Sequence, residues 1–231
     1  MRKIAIMQPY LFPYIGYWQL MEAVDIFVIL DDVNYINRGF INRNYLLVNE
    51  KQTRFTLELQ KASQNKLIKD IYTGNNSSKI LKKIFLAYKR SLYFDQVYNL
   101  LEDCLYGTDG TNLSDLLFNS INKMRKYLNI KSKLFRSSDL NLKNDLKGNK
   151  RIIQICKEFN ASTYINNISG SNLYQNENFL KNNIELFFLE SKMSKYKQFS
   201  PVFVPYLSII DTAMFNSSSD LKKMLLNFKL Y

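Results

Sequence analysis

The chain has no histidine among its 231 residues. That excludes a Ser-His-Asp triad, a Cys-His nucleophile pair and any His-ligated zinc or iron site. Proton transfer must fall to Asp, Glu, Lys, Tyr, a terminus or the substrate, and a metal site would be oxygen-rich and suited to magnesium. Glycine is scarce as well, at seven residues, with no G-x-G-x-x-G and no G-x-x-x-x-G-K-S/T. The two most familiar phosphate-cradling loops are therefore absent. The two cysteines, Cys104 and Cys156, lack C-x-x-C spacing and lie in lysine-flanked stretches of helical pattern. They read as buried small hydrophobes of a reducing compartment, not as a disulfide or a catalytic thiol. After Met1-Arg2-Lys3 only four apolar residues precede Gln8, too few for a signal-peptide core, and no apolar run approaches a membrane span. The expectation is a cytoplasmic protein.

Apolar residues are plentiful, with 46% hydrophobic and 14% aromatic content, enough to fill a sizeable core. The formal charge of +12 comes mostly from lysine accompanied by Asn, Ile and Tyr, the pattern of an A/T-biased genome. Clusters at Lys82-Lys83, Lys123 to Lys133 and Lys143 to Arg151 would attract the phosphates of a nucleotide, a nucleic acid or an anionic membrane surface.

The opening forty-four residues carry the strongest pattern. The apolar run Lys3 to Met7 breaks into Gln8-Pro9-Tyr10-Leu11-Phe12-Pro13-Tyr14-Ile15-Gly16-Tyr17, in which two prolines stiffen an aromatic loop before a helix starts near Gly16. A second run, Asp25 to Leu30, ends in Asp31-Asp32 and leads to Arg38-Gly39-Phe40-Ile41-Asn42-Arg43-Asn44. Periodicity then predicts a hairpin of 45–48 with 54–59 about a turn at 49–52, and helices over 77–88, 94–106 and 112–128. Strands follow near 133–136, 163–165 and 184–188, with helices at 147–158, 206–215 and 217–228. Strands separated by helices imply an α/β fold with a largely parallel, Rossmann-like sheet, flanking helices and a helical insertion over 77–129 in one domain spanning 1–231.

Ligands of such folds sit where strands meet loops at their carboxyl ends. Gln8, Tyr10 and Tyr17 are candidates to line a pocket, since tyrosine offers a flat apolar face and a hydroxyl, and glutamine both donates and accepts. Asp31 and Asp32 suit three roles: holding magnesium, acting as a base toward an amine, or capping a turn. Arg38, Asn42 and Arg43 form a candidate anion clamp, because paired guanidiniums match a diphosphate. Lys150-Arg151 at a helix start, and Gly170 within Ser169-Gly170-Ser171 after a strand, offer a second anion contact. Ser208 and Asp211 lie three apart and share a helix face.

Gln8-Pro9-x-x-x-Pro13-x-x-Gly16-Tyr17, Leu30-Asp31-Asp32-Val33 and Asn42-Arg43-Asn44 together resemble the WbqC-like family of bacterial polysaccharide gene clusters. The likeness continues through Lys147-Gly148 with Arg151 and Cys156, Tyr164 with Gly170 and Tyr174, Tyr196-x-Gln198, and Leu207-Ser208-Ile209-Ile210-Asp211. It adds Gly16, Tyr174 and Gln198 to the candidate substrate contacts. The resemblance implies a role in making O-antigen-like lipopolysaccharide glycans, with glycine transfer as the activity. The opening strand, loop and helix are also similar to the nucleotidyltransferase and pantothenate-synthetase-like superfamily, but Tyr14-Ile15-Gly16-Tyr17 stands where its ATP-binding H-x-G-H loop would be.

The reading that combines these features is a transferase that forms an amide on a deoxyamino sugar, moving a glycyl or small acyl group to a nucleotide-linked substrate, with magnesium or ATP as conceivable cofactors. Two alternatives are an RNA-engaging protein that takes its amino acid from a charged tRNA, contacted by basic helices over 112–133, and a non-catalytic partner within a polysaccharide pathway.

Overall fold

The computed structural model describes residues 1–142 and 146–231, so the basic cluster starting at Lys143 begins outside the described residues. In chain order the elements are β1 (Lys3–Met7), α1 (Ile15–Glu22), β2 (Ile26–Ile29), the hairpin β3 (Arg43–Val48) and β4 (Lys51–Thr56), and the short ladder β5 (Leu59–Gln60) with β6 (Tyr72–Thr73). Then come α2 (Ser77–Tyr88), α3 (Phe94–Leu105), α4 (Leu113–Tyr127), β7 (Lys133–Arg136), α5 (Gly148–Glu158) and β8 (Thr163–Asn167). The chain closes with α6 (Asn176–Leu180), β9 (Glu185–Ser191), α7 (Ile209–Phe215), α8 (Ser218–Leu225) and β10 (Phe228–Leu230).

Six strands form the main sheet in the order β10-β9-β8-β1-β2-β7, and every pairing is parallel except β9 with β10. Strand alternation sends side chains to two cores. Ile4, Ile6, Ile26 and Val28 pack with Ile152, Ile155 and Cys156 of α5, whereas Ala5, Phe27 and Ile29 join the larger core that includes α1, α2, α3, α4, α7 and α8. This is the Rossmann-like α/β arrangement that the alternation of strands and helices implies. Its parallel strands β1, β2, β7, β8 and β9 all deliver their C-terminal loops to one edge of the sheet.

Three local differences from the sequence pattern have physical causes. Asn49 and Glu50 both adopt left-handed backbone, with φ of 49° and 62°, so a two-residue turn closes the hairpin and β4 resumes at Lys51 rather than Arg54. The helix expected from Tyr206 starts only at Ile209, because the Ser208 hydroxyl caps it by accepting from the Ile210 N–H at 3.3 Å. Helix α8 stops at Leu225, and Phe228–Leu230 pairs antiparallel with the otherwise open edge of β9, a three-residue strand too short to show alternation.

Candidate functional site

Asp31 and Asp32 stand just past β2 and do different things. Asp31 is fully buried. Its Oδ2 accepts from Ser114 Oγ at 2.5 Å and Ser138 Oγ at 2.8 Å, and its Oδ1 from the Ser138 N–H at 3.0 Å, with Ser137 Oγ 3.2 Å away. With both oxygens taken by donors from α4 and from the turn after β7, this carboxylate ties three segments together. Asp32 accepts from Ser137 Oγ at 2.5 Å and forms an ion pair with Arg151 in the first turn of α5, their side chains only 11% and 8% exposed. Asp31 is thus engaged by the scaffold, and among the described residues no cluster of three acidic or thiol side chains could hold a metal.

Asp32 and Arg151 face a cleft of about 750 Å³ between the loop after β2, the start of α5 and the segment after β8. Lys69, Lys147, Asn149 and Tyr174 are among its other polar groups, and Leu30, Leu67, Ile152 and Leu173 among its apolar ones. The segment around Lys69 is held along the loop after β2 by backbone bonds, Ile68 N–H to Val33 O and Lys69 N–H to Asp31 O, both 3.0 Å. Lys147 and Gly148 begin α5, whose first backbone N–H groups lack intrahelical acceptors and, with the helix dipole, favour an anion there. Lys147 and Asn149 also border a shallower basic hollow with exposed Lys150 and Lys181.

The other candidate residues fall elsewhere or are engaged internally. Arg38 is exposed on a turn with φ of 63°, and neither it nor Arg43 lines the cleft. Asn42 is buried, accepting from Tyr35 OH at 2.8 Å and donating to Leu57 O at 2.7 Å. Arg43 touches Tyr35, and its buried Nε has no hydrogen-bond partner. Gln8 is half-buried, and its carbonyl accepts from Tyr17 OH at 3.2 Å; burial raises the Tyr17 phenol well above its ordinary range. Gly16 lets the outer end of the Tyr14 ring lie over the helix start, since a Cβ there would stand 2.5 Å from it. Gly170 likewise lies close to Asn166, and Tyr174 bonds Tyr164 through their hydroxyls at 3.2 Å.

The C-terminal block docks on the N-terminal loop. Ser208 Oγ donates to Phe12 O at 2.6 Å, and the Ile209 N–H donates to Pro13 O at 3.1 Å. Asp211 is buried and accepts from Tyr88 OH at 2.8 Å, Tyr196 OH at 2.6 Å and Gln198 Nε2 at 2.8 Å. Burial raises its carboxyl above the ordinary aspartate range, against the pull of those three donors. In α4, Arg125 donates to Ile130 O and Ser132 O and so ties down the loop between α4 and β7. Sequence reasoning found Lys147 only within a basic cluster and the Lys147-Gly148 match, and missed Lys69, Asn149 and the serines at 114, 137 and 138. Only the last pair carried a signal, two adjacent hydroxyls directly after a short strand.

A family model described as the WbqC-like protein family matches residues 8–223. A protein of Mycobacterium tuberculosis described as uncharacterized is 26% identical over 224 residues, covering 95% of this chain and 96% of its own length. No solved structure matches.

Proposed function

The chain belongs to the WbqC-like protein family, and from that premise we propose that it is a transferase that builds an amide on a deoxyamino sugar for a bacterial surface polysaccharide. One observation carries the reading: a cleft of about 750 Å³ at the carboxyl edge of a Rossmann-like sheet, lined by a carboxylate, two lysines and the start of a helix. That volume lies in the range of small-molecule sites, roughly 300–1,000 Å³, and the position is where open α/β sheets bind their ligands.

In this reading Lys69, Lys147 and the first turn of α5 take the diphosphate of the nucleotide-linked sugar. Asp32 faces the sugar amine, with Arg151 and Ser137 fixing its orientation. The neutral amine attacks the carbonyl carbon of an activated acyl donor, forming the C–N bond and placing a negative charge on the carbonyl oxygen. Once bonded, the nitrogen's extra proton is strongly acidic, so a carboxylate suffices to remove it, and the assignment of that step is Asp32. Collapse of the adduct returns the electron pair to the C=O bond and expels the donor's leaving group. The positive side chains around the cleft stabilise the transient oxyanion.

The test is incubation of the protein with dTDP- and UDP-linked amino sugars and, in separate reactions, glycine with ATP and magnesium, glycyl-tRNA, or small acyl thioesters. The expected result is a nucleotide-sugar heavier by one acyl group and resistant to hydroxylamine, as an amide is. No product with any donor, together with no shift of the melting temperature by any nucleotide-sugar, overturns the reading.

A further inference from the structure

Apart from the anion-binding cleft, the loop after β1 supports a second cavity of about 270 Å³. Its walls are the rings of Tyr10, Tyr14, Phe40 and Tyr206, completed by Pro13 and Asn44. Tyr10 and Phe40 stand 6.2 Å apart at 59°, and Tyr14 and Tyr206 6.1 Å apart at 64°. Phe40 and Tyr206 keep 48% and 63% of their surface in water, although the chain buries many other aromatics completely.

Three segments distant in sequence are bonded together to hold these rings. The Leu11 N–H donates to Phe40 O at 3.1 Å, the Ser208 N–H to Tyr45 O at 2.9 Å, and Asn44 Nδ2 to Leu11 O at 3.0 Å and Phe12 O at 2.8 Å. Asn44 Oδ1 accepts from the Tyr45 N–H at 2.8 Å, so its amide is spent on the scaffold. Tyr206 itself, Phe12 and Arg38 adopt left-handed backbone with φ of 58°, 44° and 63°, a conformation costly for bulky side chains and found where function fixes geometry. The backbone that carries the rings is thus fixed before any ligand arrives.

The wall chemistry selects the occupant. The two neighbouring ring pairs are tilted at about 60°, so neither pair stacks its faces as a sandwich for a planar base. No carboxylate lines the cavity, and the chain carries a charge of +12, which disfavours a quaternary ammonium. A saturated ring with C–H groups on its faces and hydroxyls on its edge matches both the aromatic walls and the tyrosine hydroxyls. We propose that this cage is a saccharide site holding one neutral hexopyranose ring, with a preference for a deoxy sugar, whose methyl group adds apolar contact. The site goes beyond the transferase reading, since it requires neither a nucleotide nor an acyl donor.

The test is saturation-transfer NMR on the full chain with methyl glycosides of a 6-deoxyhexose and of the corresponding hexose. The variants are Phe40→Ala and Tyr206→Ala, both at exposed rings, with Lys147→Ala as a control and melting temperature as the check on folding. Transfer should be strongest at the C6 methyl of the deoxy sugar, fall about tenfold in affinity when either ring is removed, and be unchanged in Lys147→Ala. No transfer to either glycoside, or transfer equal in the cage variants and the wild type, overturns the proposal. Binding of adenosine or tetramethylammonium with no glycoside binding overturns it as well. Glycoside binding with no transferase product and no nucleotide-sugar shift of the melting temperature would sink the enzymatic reading and leave this site standing, whereas product formation by both cage variants with no glycoside binding would do the reverse.

Discussion

Arg151, in the first turn of α5, pairs with Asp32, just past β2, so one wall of the cleft is an ion pair joining a helix to the sheet it covers. Both side chains are close to dry. In such surroundings the cost of removing one partner exceeds the net gain of having both. Asp32→Asn should therefore lower the unfolding free energy by about 3 kcal/mol. Combining it with Arg151→Met should recover much of that loss. Urea denaturation of the two variants decides the matter, and a double variant no more stable than Asp32→Asn would show that the pair does not link the layers.

Asp31 should serve the fold and not the ligand. Asp31→Ala strands Ser114 Oγ, Ser138 Oγ and the Ser138 N–H without their acceptor, a loss of about 3 kcal/mol or more in stability. The folded fraction should still bind nucleotide-sugar with unchanged affinity. A variant as stable as the wild type but devoid of activity would instead make Asp31 the base.

These two aspartates show how far the sequence could be read. Adjacent acids at the end of an apolar run mark the edge of β2, and the same reasoning finds β1, the helices α2, α3 and α4, and the parallel sheet, because those features depend on local periodicity. The partners of the acids do not: Ser114 and Ser138 lie 83 and 107 residues from Asp31, and Arg151 lies 119 from Asp32. Lys69 was invisible for another reason, since in so lysine-rich a chain no single lysine stands out, and Lys147 showed only as part of a basic cluster and of the Lys147-Gly148 match. Arg38, Asn42 and Arg43 looked like one clamp by spacing, yet the backbone turns Arg38 outward with φ of 63° and Asn42 inward onto Leu57. Three-residue β10 had no periodicity to detect.

Asp211 makes the fold's stability depend on pH. Its carboxyl titrates above the ordinary aspartate range in the folded chain, chiefly through burial, and at its ordinary value when unfolded. Between those two values the folded state binds more protons, so this group's contribution falls as pH rises through that window. Asp211→Asn removes the titration. The difference in unfolding free energy, wild type minus Asp211→Asn, should thus decrease as pH is raised through the window and level off above it. A difference that stays flat across the same range would mean that burial does not control this carboxyl.

The two thiols should be inert in the folded protein. Burial pushes Cys104 up to about 11 and Cys156 up to about 12, so neither forms appreciable thiolate near neutrality. Iodoacetamide should label both quickly in denaturant and only at the rate of opening in native buffer, as read by mass spectrometry over time. Rapid native labelling of either, protected by a nucleotide-sugar, would place a thiol at the ligand.

The sharpest test of the cleft compares cations inside it with those outside. Lys69 and Lys147 line it from separate segments, while Arg38 is exposed and does not line it. A hydrogen bond to a charged phosphate contributes about 1.5–3 kcal/mol, so Lys69→Ala and Lys147→Ala should each weaken a dTDP- or UDP-linked amino sugar about tenfold or more. Arg38→Ala should leave the affinity unchanged. The loss should also shrink as salt rises, because screening already weakens the contact in the wild type. Stability should barely move, since neither lysine makes an ion pair among the described residues. Calorimetric titration of the three variants at two ionic strengths separates the possibilities: a loss confined to Arg38→Ala would return the diphosphate to the loop before β3, and equal affinities throughout would remove it from both places.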